Sequence, residues 1–448
     1  DLHKEYRRQR QMCIRDRLFI PICLETLLYM LSGMVDTLML SSVNDQAVGA
    51  VGTANTYIGI FIIMFSVISS GMVAVMTQNI GAGRPGVAYQ ARQLGLAFNA
   101  VLGVIMSLFL SLGAGTILSG VGVADALMQP AKTYLQIVGG FCILNALIPI
   151  CSSYLRAFGF SKEPLYASII GNVINFCLNA FFLFVLHKGV AGVATATVIS
   201  RIINLVIVVL LGAVLVKAKQ HPERESNRAV MGQIIRIGLP SACETAIYNV
   251  SMTLVIRFLN QMDAQGLNVT ARSYTMQITN FSYCVGAALA QANAIMTGWH
   301  IGAKEYDACD RGTKKAAVIG VIVAVILETV FTLCSGWIMQ LFSKDPQMVS
   351  LVGKLLAIDI VLEIGRVTNL VYGQALKTSG DAVFPVVMGA CFMILCSVGG
   401  TYLFGIRLGL LAVGAYIGMT GDECVRAVGM YLRWKSGKWK EKGLVKSR

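Results

Sequence analysis

Charged side chains are scarce in this chain. Of its 448 residues, only 13% are charged, whereas 56% are hydrophobic. An ordinary soluble domain carries about 25% charged residues. So few charges cannot cover a water-facing surface for a chain of this length. The composition therefore excludes a soluble enzyme, a disordered chain and a nucleic-acid-binding protein, and we expect an integral membrane protein.

The residue types of metal and cofactor sites are few or scattered. The four histidines fall near the ends of predicted helices, and the twelve cysteines form no Cys-x-x-Cys motif. We interpret the cysteines as small buried hydrophobic residues. A phosphate-binding loop of the Gly-x4-Gly-Lys-Ser/Thr type is also missing from the sequence, which excludes a built-in ATPase. We expect no enzymatic activity, no cofactor and no metal other than a coupling ion.

Long apolar runs dominate the rest of the sequence. A helix needs about 20 predominantly apolar residues to cross the hydrocarbon core of a bilayer. Twelve segments meet this requirement: 18–41, 47–77, 93–118, 126–155, 164–187, 190–216, 233–262, 267–298, 314–341, 347–376, 382–406 and 409–433. The runs are continuous rather than alternating, which excludes transmembrane β-strands.

Basic residues indicate the orientation of these spans. The chain has 37 Lys and Arg against 23 Asp and Glu, and its net charge is +14. With the N-terminus in the cytoplasm, 27 of the 37 basic residues lie in the cytoplasmic segments or within four residues of them. This is the asymmetry of the positive-inside rule. We expect a multi-pass protein of the cytoplasmic (inner) membrane with both termini in the cytoplasm, in contact with lipid and not with nucleic acid.

Polar segments divide the chain. Residues 1–17 include a stretch without helical or strand periodicity, and we expect a non-native or disordered segment. The longest polar stretch, Lys217 to Arg228, separates two sets of six spans. The predicted parts are 1–17, an N-lobe 18–216, a cytoplasmic linker 217–232, a C-lobe 233–433 and a basic cytoplasmic tail 434–448. The tail carries Trp434 and Trp439 among lysines, which is typical of an interfacial anchor or a solvated end.

The two sets of six spans resemble each other in sequence. The segment Pro21 to Tyr29 matches Pro240 to Tyr248, 219 residues later. At an offset of 221, Leu155, Gly159 and Pro164 recur as Leu376, Gly380 and Pro385. Because six is an even number, both halves enter the membrane from the same side. We predict an all-α integral membrane protein with twelve transmembrane helices in two six-helix bundles, related by a parallel pseudo-two-fold repeat. This design is typical of alternating-access transporters.

Acidic and amide side chains interrupt the apolar spans of the first bundle. A carboxylate at mid-membrane costs roughly 2.5–3.5 kcal/mol on insertion scales. Asp36 in the first span is a candidate cation or proton site, or else a neutral acid hydrogen-bonded between helices. Asn172, Asn175 and Asn179 share one face of the fifth span. Their oxygens are candidate Na⁺ ligands beside Asp36, or partners in interhelical hydrogen bonds.

Other acids are candidates for the substrate cavity. Glu25 and Glu244 are repeat mates, and each follows a proline by four residues. They indicate substrate contact or, as the alternative, a structural role at the interface between the lobes. In the tenth span, Asp359, Glu363 and Arg366 share one face. Glu363 and Arg366 are expected to pair, while repulsion between Asp359 and Glu363 would favour proton binding.

Three further charged residues in the last span have the same spacing. Asp422, Glu423 and Arg426 favour structural ion pairing, and Arg201 and Glu328 have no assigned role.

A set of short motifs, in this order and spacing, resembles the multidrug and toxic compound extrusion (MATE) family over about residues 18–440. The motifs are Pro21 with Met34 to Thr37, Ala47 to Ala50, Gln78 to Ala82, Gly189 to Thr197, Gly238 to Pro240, Glu363 to Asn369, Ala375 to Lys377 and Gly380-Asp381. The resemblance implies two six-helix bundles around a V-shaped cavity, and export of organic cations in exchange for Na⁺ or H⁺.

The resemblance also implies roles for single residues. Asp36 matches the acid central to coupling, and its partners map to Asn175, Asn179 and Thr197. Some members have an acid where this chain has Asn179, so that one carboxylate of the ion site is absent here. Pro21 matches a proline associated with bending of the first helix and is a candidate hinge.

A second branch of the family has an acid in the seventh helix, at a position aligned with Tyr248. In this chain the acid lies one turn earlier, at Glu244, so that an ion site in the C-lobe carries over only loosely.

These observations together predict a monomeric antiporter that expels amphipathic, mostly cationic compounds. Ion coupling is assigned to Asp36, Asn175, Asn179 and Thr197. The substrate cavity is assigned to Glu25, Glu244, Tyr248, Asp359, Glu363 and Arg366. The alternative is a lipid-linked oligosaccharide flippase of a related superfamily. We disfavour it because the predicted interior has more acids than bases.

Overall fold

The computed structural model describes residues 2–41, 45–120, 125–217, 221–263, 266–340 and 342–445, without the side chains of residues 2–16, 45, 120 and 126. Nearly all of this described chain is helical, and no β-strand occurs in it. The chain divides into two compact units, Asp1–Gly238 and Leu239–Arg448.

The first unit contains six helical passes in its described part. Its α-helices are α1 (Leu2–Ser41), α2 (Asp45–Gly81), α3 (Pro85–Gly120), α4 (Asp125–Tyr134), α5 (Ile143–Ala157), α6 (Lys162–Ala180) and α7 (Gly189–Leu215). The helices α4 and α5 belong to one pass that is broken by a bend of 44°. The π-helical segment Leu135–Gly139 precedes this bend, and another, Phe181–Val185, extends α6.

The described part of the second unit also contains six passes. Its α-helices are α8 (Asn227–Met262), α9 (Leu267–Gly302), α10 (Tyr306–Leu333), α11 (Ser335–Met339), α12 (Pro346–Ser379), α13 (Val383–Phe392) and α14 (Leu411–Lys435). The π-helical segments Met393–Val398 and Thr401–Arg407 extend α13, and a 3₁₀ turn, Lys438–Glu441, follows α14. The boundary between the units falls inside α8, so the first turns of this helix belong to the first unit.

Most passes are apolar enough to cross a membrane. By length and composition, seven of the described helices qualify, or eight when the bent pair is taken as one span. The other four passes contain α8, α9, α12 and α14, and three of these helices carry interior acids: Glu244 on α8, Asp359 and Glu363 on α12, and Asp422 and Glu423 on α14. Large apolar side chains such as Leu112 and Val214 are 83% and 73% exposed, as lipid-facing residues are. The predicted all-α, twelve-helix membrane architecture is confirmed.

Each unit has its own packed core. In the first unit, Phe65, Leu110 and Tyr134 belong to one buried cluster. In the second, Leu259 and Leu355 belong to another. Lipid tails are as apolar as these side chains, so close packing rather than expulsion from water holds such helices together.

Two glycines let α2 and the first turns of α8 approach each other within the first unit. A Cβ atom on Gly238 would lie 1.6 Å from the carbonyl oxygen of Val67, and one on Gly71 would lie 1.9 Å from that of Ile234. No side chain fits at such distances, so the backbones themselves are in contact.

The prolines of the two repeat-related helices do not interrupt them. Pro21 lies inside α1, and Pro240 lies inside α8. The hinge role of Pro21 stays a prediction.

Caps at both ends determine where α12 begins and ends. Asp345 accepts a hydrogen bond from the backbone N–H of Gln347 at 3.0 Å, and Pro346 occupies the first turn. At the other end, Gly380 adopts φ 100°, and the backbone N–H of Asp381 donates to the carbonyl of Leu376 at 2.9 Å. These signals are those expected for helix ends. Between these two ends, the charged residues Asp359, Glu363 and Arg366 lie in the middle of a long helix.

The chain after α14 packs onto its own unit. The rings of Trp434 and Trp439 are stacked with centroids 4.1 Å apart, and both are buried. The indole N–H of Trp434 donates to Asp310 at 2.9 Å, and Arg433 pairs with Asp381 at 2.7 Å. The expectation of an interfacial anchor or a solvated end is therefore wrong for these two tryptophans. Their rings are buried against protein, not against lipid or water.

Candidate ion-coupling and substrate sites

The amides predicted beside Asp36 are in contact with it. The side-chain N–H of Asn179 donates to Asp36 Oδ1 at 2.8 Å and to Asn175 Oδ1 at 3.1 Å. Asn175 and Asn179 are one turn apart on α6 and are buried, while Asp36 on α1 is half-buried. The prediction that Asn175 and Asn179 share one helix face is therefore confirmed. The packing of α1 against α6 places Asp36 on that face.

The oxygen of Asn179 is available to a ligand. Asn179 Oδ1 is buried and has no hydrogen-bond partner. A buried polar atom without a partner costs about 1–3 kcal/mol, which a bound ion or water would offset. Together with the carboxylate of Asp36, it provides the hard oxygen atoms that Na⁺ prefers.

The fourth predicted residue of this site, Thr197, lies on α7. Its hydroxyl donates to the carbonyl of Val193 in its own helix at 2.9 Å and is within hydrogen-bonding reach of Tyr134. Asn175 contacts α7 through a weak hydrogen bond of 3.5 Å to Ser200. Thr197 is thus buried, and its hydroxyl proton is already engaged in its own helix.

One basic residue near this site had no predicted role. Arg201 on α7 lies close enough to Asp36 and Tyr134 to act on both electrostatically. The sequence signal was available, because an arginine inside an apolar span is costly and calls for an acidic partner. The positive charge of Arg201 makes the neighbourhood of Asp36 less attractive to a cation than a pair of carboxylates would be.

Both acids that follow the repeated prolines are paired with bases. Arg156 Nη2 lies 2.5 Å from Glu25 Oε2, and Lys377 Nζ lies 2.5 Å from Glu244 Oε2. Ser168 also donates to Glu25, at 3.3 Å. The two bases are themselves 221 residues apart, which is the offset of the repeat. The charges of Glu25 and Glu244 are therefore balanced locally, within each unit, which favours their structural interpretation.

The second unit encloses a cavity of about 220 Å³. Three of the predicted cavity residues, Tyr248, Asp359 and Arg366, line it. Its other lining residues are Met252, Arg272, Met276, Thr279, Asn280, Tyr283, Leu362, Ser397, Tyr416, Met419, Asp422 and Glu423. Tyrosine and methionine side chains form most of the apolar surface. Glu363 lies behind this wall, bonded to Arg366.

A network of charges crosses one wall of the cavity, from α12 to α14. Arg366 pairs with Glu363 on its own helix and lies 3.8 Å from Glu423. Arg426 pairs with Asp422 at 2.7 Å and with Glu423 at 2.9 Å. The predicted pairing within the tenth and last spans is confirmed, but the link between the two helices could not be predicted from spacing alone.

Glu328 was left without a role by its sequence context, since it is a single acid in an apolar helix. In the structure it is fully buried on α10, and its carboxylate meets those of Asp359 and Glu363. Sequence spacing could not show this meeting, because α10 and α12 come together only by tertiary packing.

The sequence matches the MatE family model over residues 21–181 and 240–403, once in each unit. The chain is 34% identical over 431 residues to a Bacillus subtilis (strain 168) protein named "Uncharacterized transporter YisQ", with 95% of this chain and 94% of that protein covered. It is 22% identical over 445 residues to the "Probable multidrug resistance protein NorM" of Thermotoga maritima, with 96% and 93% covered.

Solved structures share the fold. One is described as the "Outward-facing conformation of a multidrug resistance MATE family transporter of the MOP superfamily". It matches with a TM-score of 0.85 at 18% identity and covers 97% of this chain and 96% of its own. A "Crystal structure of MATE in the straight conformation" matches with a TM-score of 0.86 at 19% identity and covers 96% of each chain.

Proposed function

Because this chain belongs to the MatE family of multi-pass membrane transporters, we propose that it is a cation-coupled antiporter that exports amphipathic, mostly cationic organic compounds by alternating access. The coupling ion is Na⁺ or H⁺, and no other cofactor takes part. The protein acts as a monomer in the cytoplasmic membrane, with both termini in the cytoplasm.

The lining of the cavity in the second unit is the observation that supports organic cations as the substrate class. Tyrosine faces and methionine thioethers suit flat apolar rings, and an aromatic face also attracts a cation. Three acids line the cavity, Asp359, Asp422 and Glu423, against two bases. A volume of about 220 Å³ is below the ~300–1,000 Å³ of drug-sized pockets. The cavity thus suits the charged part of a larger compound or a small organic cation.

The coupling role of Asp36 is supported by its contacts. Asp36 and the unpartnered oxygen of Asn179 offer oxygen atoms to Na⁺, and Asp36 alone can accept a proton. In the proposed cycle, ion binding at Asp36 favours release of the organic cation outside, and the return step carries the ion inward. Competition of this kind needs a coupling free energy of about 1–3 kcal/mol.

The rival activity is flipping of a lipid-linked oligosaccharide. A flippase for such a lipid has to bind a phosphate group, which calls for clustered Arg and Lys. The bases Arg272 and Arg366 do line the cavity, but acids outnumber them there. We therefore rank organic-cation export first.

Proteoliposomes test the proposal. The purified protein should export an ethidium-like dye when a Na⁺ gradient or a proton gradient is imposed separately, and Asp36→Asn should abolish transport driven by the effective gradient. Asp125→Asn is the matched control, because it removes one exposed acid from the same unit. Undiminished gradient-driven transport by Asp36→Asn would refute the coupling role. Lipid flipping without dye export would reverse the ranking of the two activities.

A further inference from the structure

Three buried carboxylates from two helices converge beside the cavity of the second unit. Glu328 comes from α10, and Asp359 and Glu363 come from successive turns of α12. One carboxylate oxygen of each lies within 4.8 Å of the other two. Their residues are 0%, 2% and 0% exposed. Like charges held this close repel one another unless a cation or protons lie between them.

Most of the oxygens in this cluster lack a hydrogen-bond donor. Both oxygens of Glu328 are buried without a hydrogen-bond partner, as are Asp359 Oδ2 and Glu363 Oε2. Buried polar atoms are almost always paired in folded proteins, so four such atoms in one place require an explanation. Oxygen atoms that accept no hydrogen bond are free to bind a metal ion.

Two basic residues of this unit already have acidic partners. Arg366 bonds to Glu363, and Arg426 bonds to Asp422 and Glu423. Among the described residues, no ion pair involves Glu328 or Asp359, so no base balances the charge of either carboxylate. When its acids are ionised, the cluster therefore has an excess of negative charge in a low-dielectric interior, where an uncompensated ion is costly.

A neutral oxygen from a third helix points to the same place. Ser282 on α9 is 1% exposed, and its hydroxyl has no hydrogen-bond partner of good geometry. The hydroxyl nevertheless lies close enough to Glu328 to interact with its carboxylate. Three helices thus contribute oxygen atoms and no nitrogen or sulfur. This is the donor set of alkali and alkaline-earth cations.

We propose that Glu328, Asp359, Glu363 and Ser282 form a binding site for a hard, oxygen-coordinated metal cation, separate from the site at Asp36. The site differs from a C-lobe site built around Glu244, because Glu244 is paired with Lys377. Asp359 faces both the cation site and the cavity. An organic cation in the cavity and a metal cation in this site therefore compete for the same carboxylate. This competition, but not the site itself, rests on the proposed transport function.

Thermal unfolding of the purified full-length protein in detergent micelles tests the site. Na⁺ is titrated against the polyol cation N-methyl-D-glucamine at constant chloride, and Ca²⁺ is then titrated in N-methyl-D-glucamine buffer, so that the effect of each metal is distinguished from that of ionic strength. Binding to the folded state raises the melting temperature as the metal concentration passes its Kd. We expect one of the two metals to raise it in the wild-type protein, and Glu328→Gln to remove the part of this increase that persists when Asp36 is replaced by Asn. Without metal, Glu328→Gln should be more stable than wild type, because the variant carries one unbalanced charge fewer there.

Two variants serve as controls. Asp307→Asn removes an exposed acid from the same helix and should leave the response to metal unchanged. Asp36→Asn should also retain a response, because Asp36 lies in the other unit. In a direct assay with radioactive ²²Na⁺ or ⁴⁵Ca²⁺, Glu328→Gln should weaken binding at least ~10-fold, as loss of supporting groups around a metal does.

The outcomes separate this site from the proposed function. The site is refuted if Glu328→Gln responds to both metals as wild type does. It is also refuted if only a fall in pH, and neither metal, stabilises the wild type, because protons alone would then balance the acids. If metal binding depends on Glu328 while imposed gradients drive no dye transport, the site stands and the antiporter proposal fails.

Discussion

Glu25 and Arg156 form an ion pair between the first and fourth helical passes of the first unit, with 2.5 Å between Arg156 Nη2 and Glu25 Oε2. The repeat mates Glu244 and Lys377 form the corresponding pair in the second unit, also at 2.5 Å. A duplicated contact of this kind links the same two passes of each bundle. It accounts for two acids inside apolar helices without assigning either of them to a substrate.

Glu25→Gln should destabilise the protein, because it leaves the guanidinium of Arg156 without its counter-charge. Both side chains are only 16% exposed. A hydrogen bond to a charged group contributes about 1.5–3 kcal/mol, and we expect a loss in this range. Thermal unfolding in detergent micelles measures it.

A second substitution separates structure from substrate binding. The double variant Glu25→Gln with Arg156→Gln should recover part of the lost stability, because neither charge then remains unpaired. If Glu25→Gln leaves the melting temperature unchanged but lowers dye affinity, Glu25 contacts the substrate instead.

Asn179→Ala should weaken binding of the coupling ion. The substitution removes the donor that holds Asp36 and the unpartnered oxygen beside it. Loss of groups that orient a metal ligand typically weakens affinity ~10–100-fold. The ion concentration for half-maximal dye transport should rise accordingly. Asn260→Ala, which removes an exposed amide from α8, is the control and should transport as the wild type does. An equal effect of both variants would argue against a specific site.

Trp439→Ala should loosen the end of the chain. The ring is buried, stacks on Trp434 and donates to its carbonyl at 2.9 Å. Replacing a buried Trp by Ala costs about 3–5 kcal/mol in soluble proteins. Thermal unfolding and protease cleavage after α14 measure the effect. Trp337 is 71% exposed, so Trp337→Ala should change neither the melting temperature nor the rate of protease cleavage. Equal sensitivity of the two variants would show that Trp439 does not anchor the tail.

Asp263, between α8 and α9, should contribute to stability in a pH-dependent way. Burial disfavours its charged form, but hydrogen bonds from Asn268 and from the backbone N–H of Leu267 outweigh this and hold the pKa of Asp263 below its usual value. Its contribution is then complete above the unfolded pKa of about 3.9 and is lost as the pH falls through the lower folded value. Melting temperatures of wild type and Asp263→Asn should differ at pH 7, and the difference should shrink as the pH falls below about 4. A constant difference across this range would contradict the prediction.

The membrane class, the twelve helical passes and the repeat follow from local features of the sequence. Each of these predictions was made from continuous stretches of the sequence: the length of an apolar run, the scarcity of charge in it, or the similarity of two segments. The shared face of Asn175 and Asn179 and the pair Glu363–Arg366 were predictable for the same reason, because helical spacing determines which side chains are neighbours.

Contacts between helices were not predictable in this way. The partners of Glu25 and Glu244 lie 131 and 133 residues further along the chain. Glu328 acquires a role only because α10 packs against α12 and brings its carboxylate to those of Asp359 and Glu363. The tail was assigned to lipid or water because Trp434 and Trp439 stand among lysines, whereas the tertiary structure buries both tryptophans.

The sequence alone thus determined that this protein is embedded in a lipid bilayer, how many helices cross the bilayer, and that the protein interior contains a few acids. Only the tertiary structure decided which of those acids are neutralised and which are not. The physical reason is that the state of a buried carboxylate depends on the donors and charges within a few ångströms of it, and these come from distant parts of the chain. Glu25 and Glu244 are balanced by Arg156 and Lys377, whereas Glu328 and Asp359 are left for a cation.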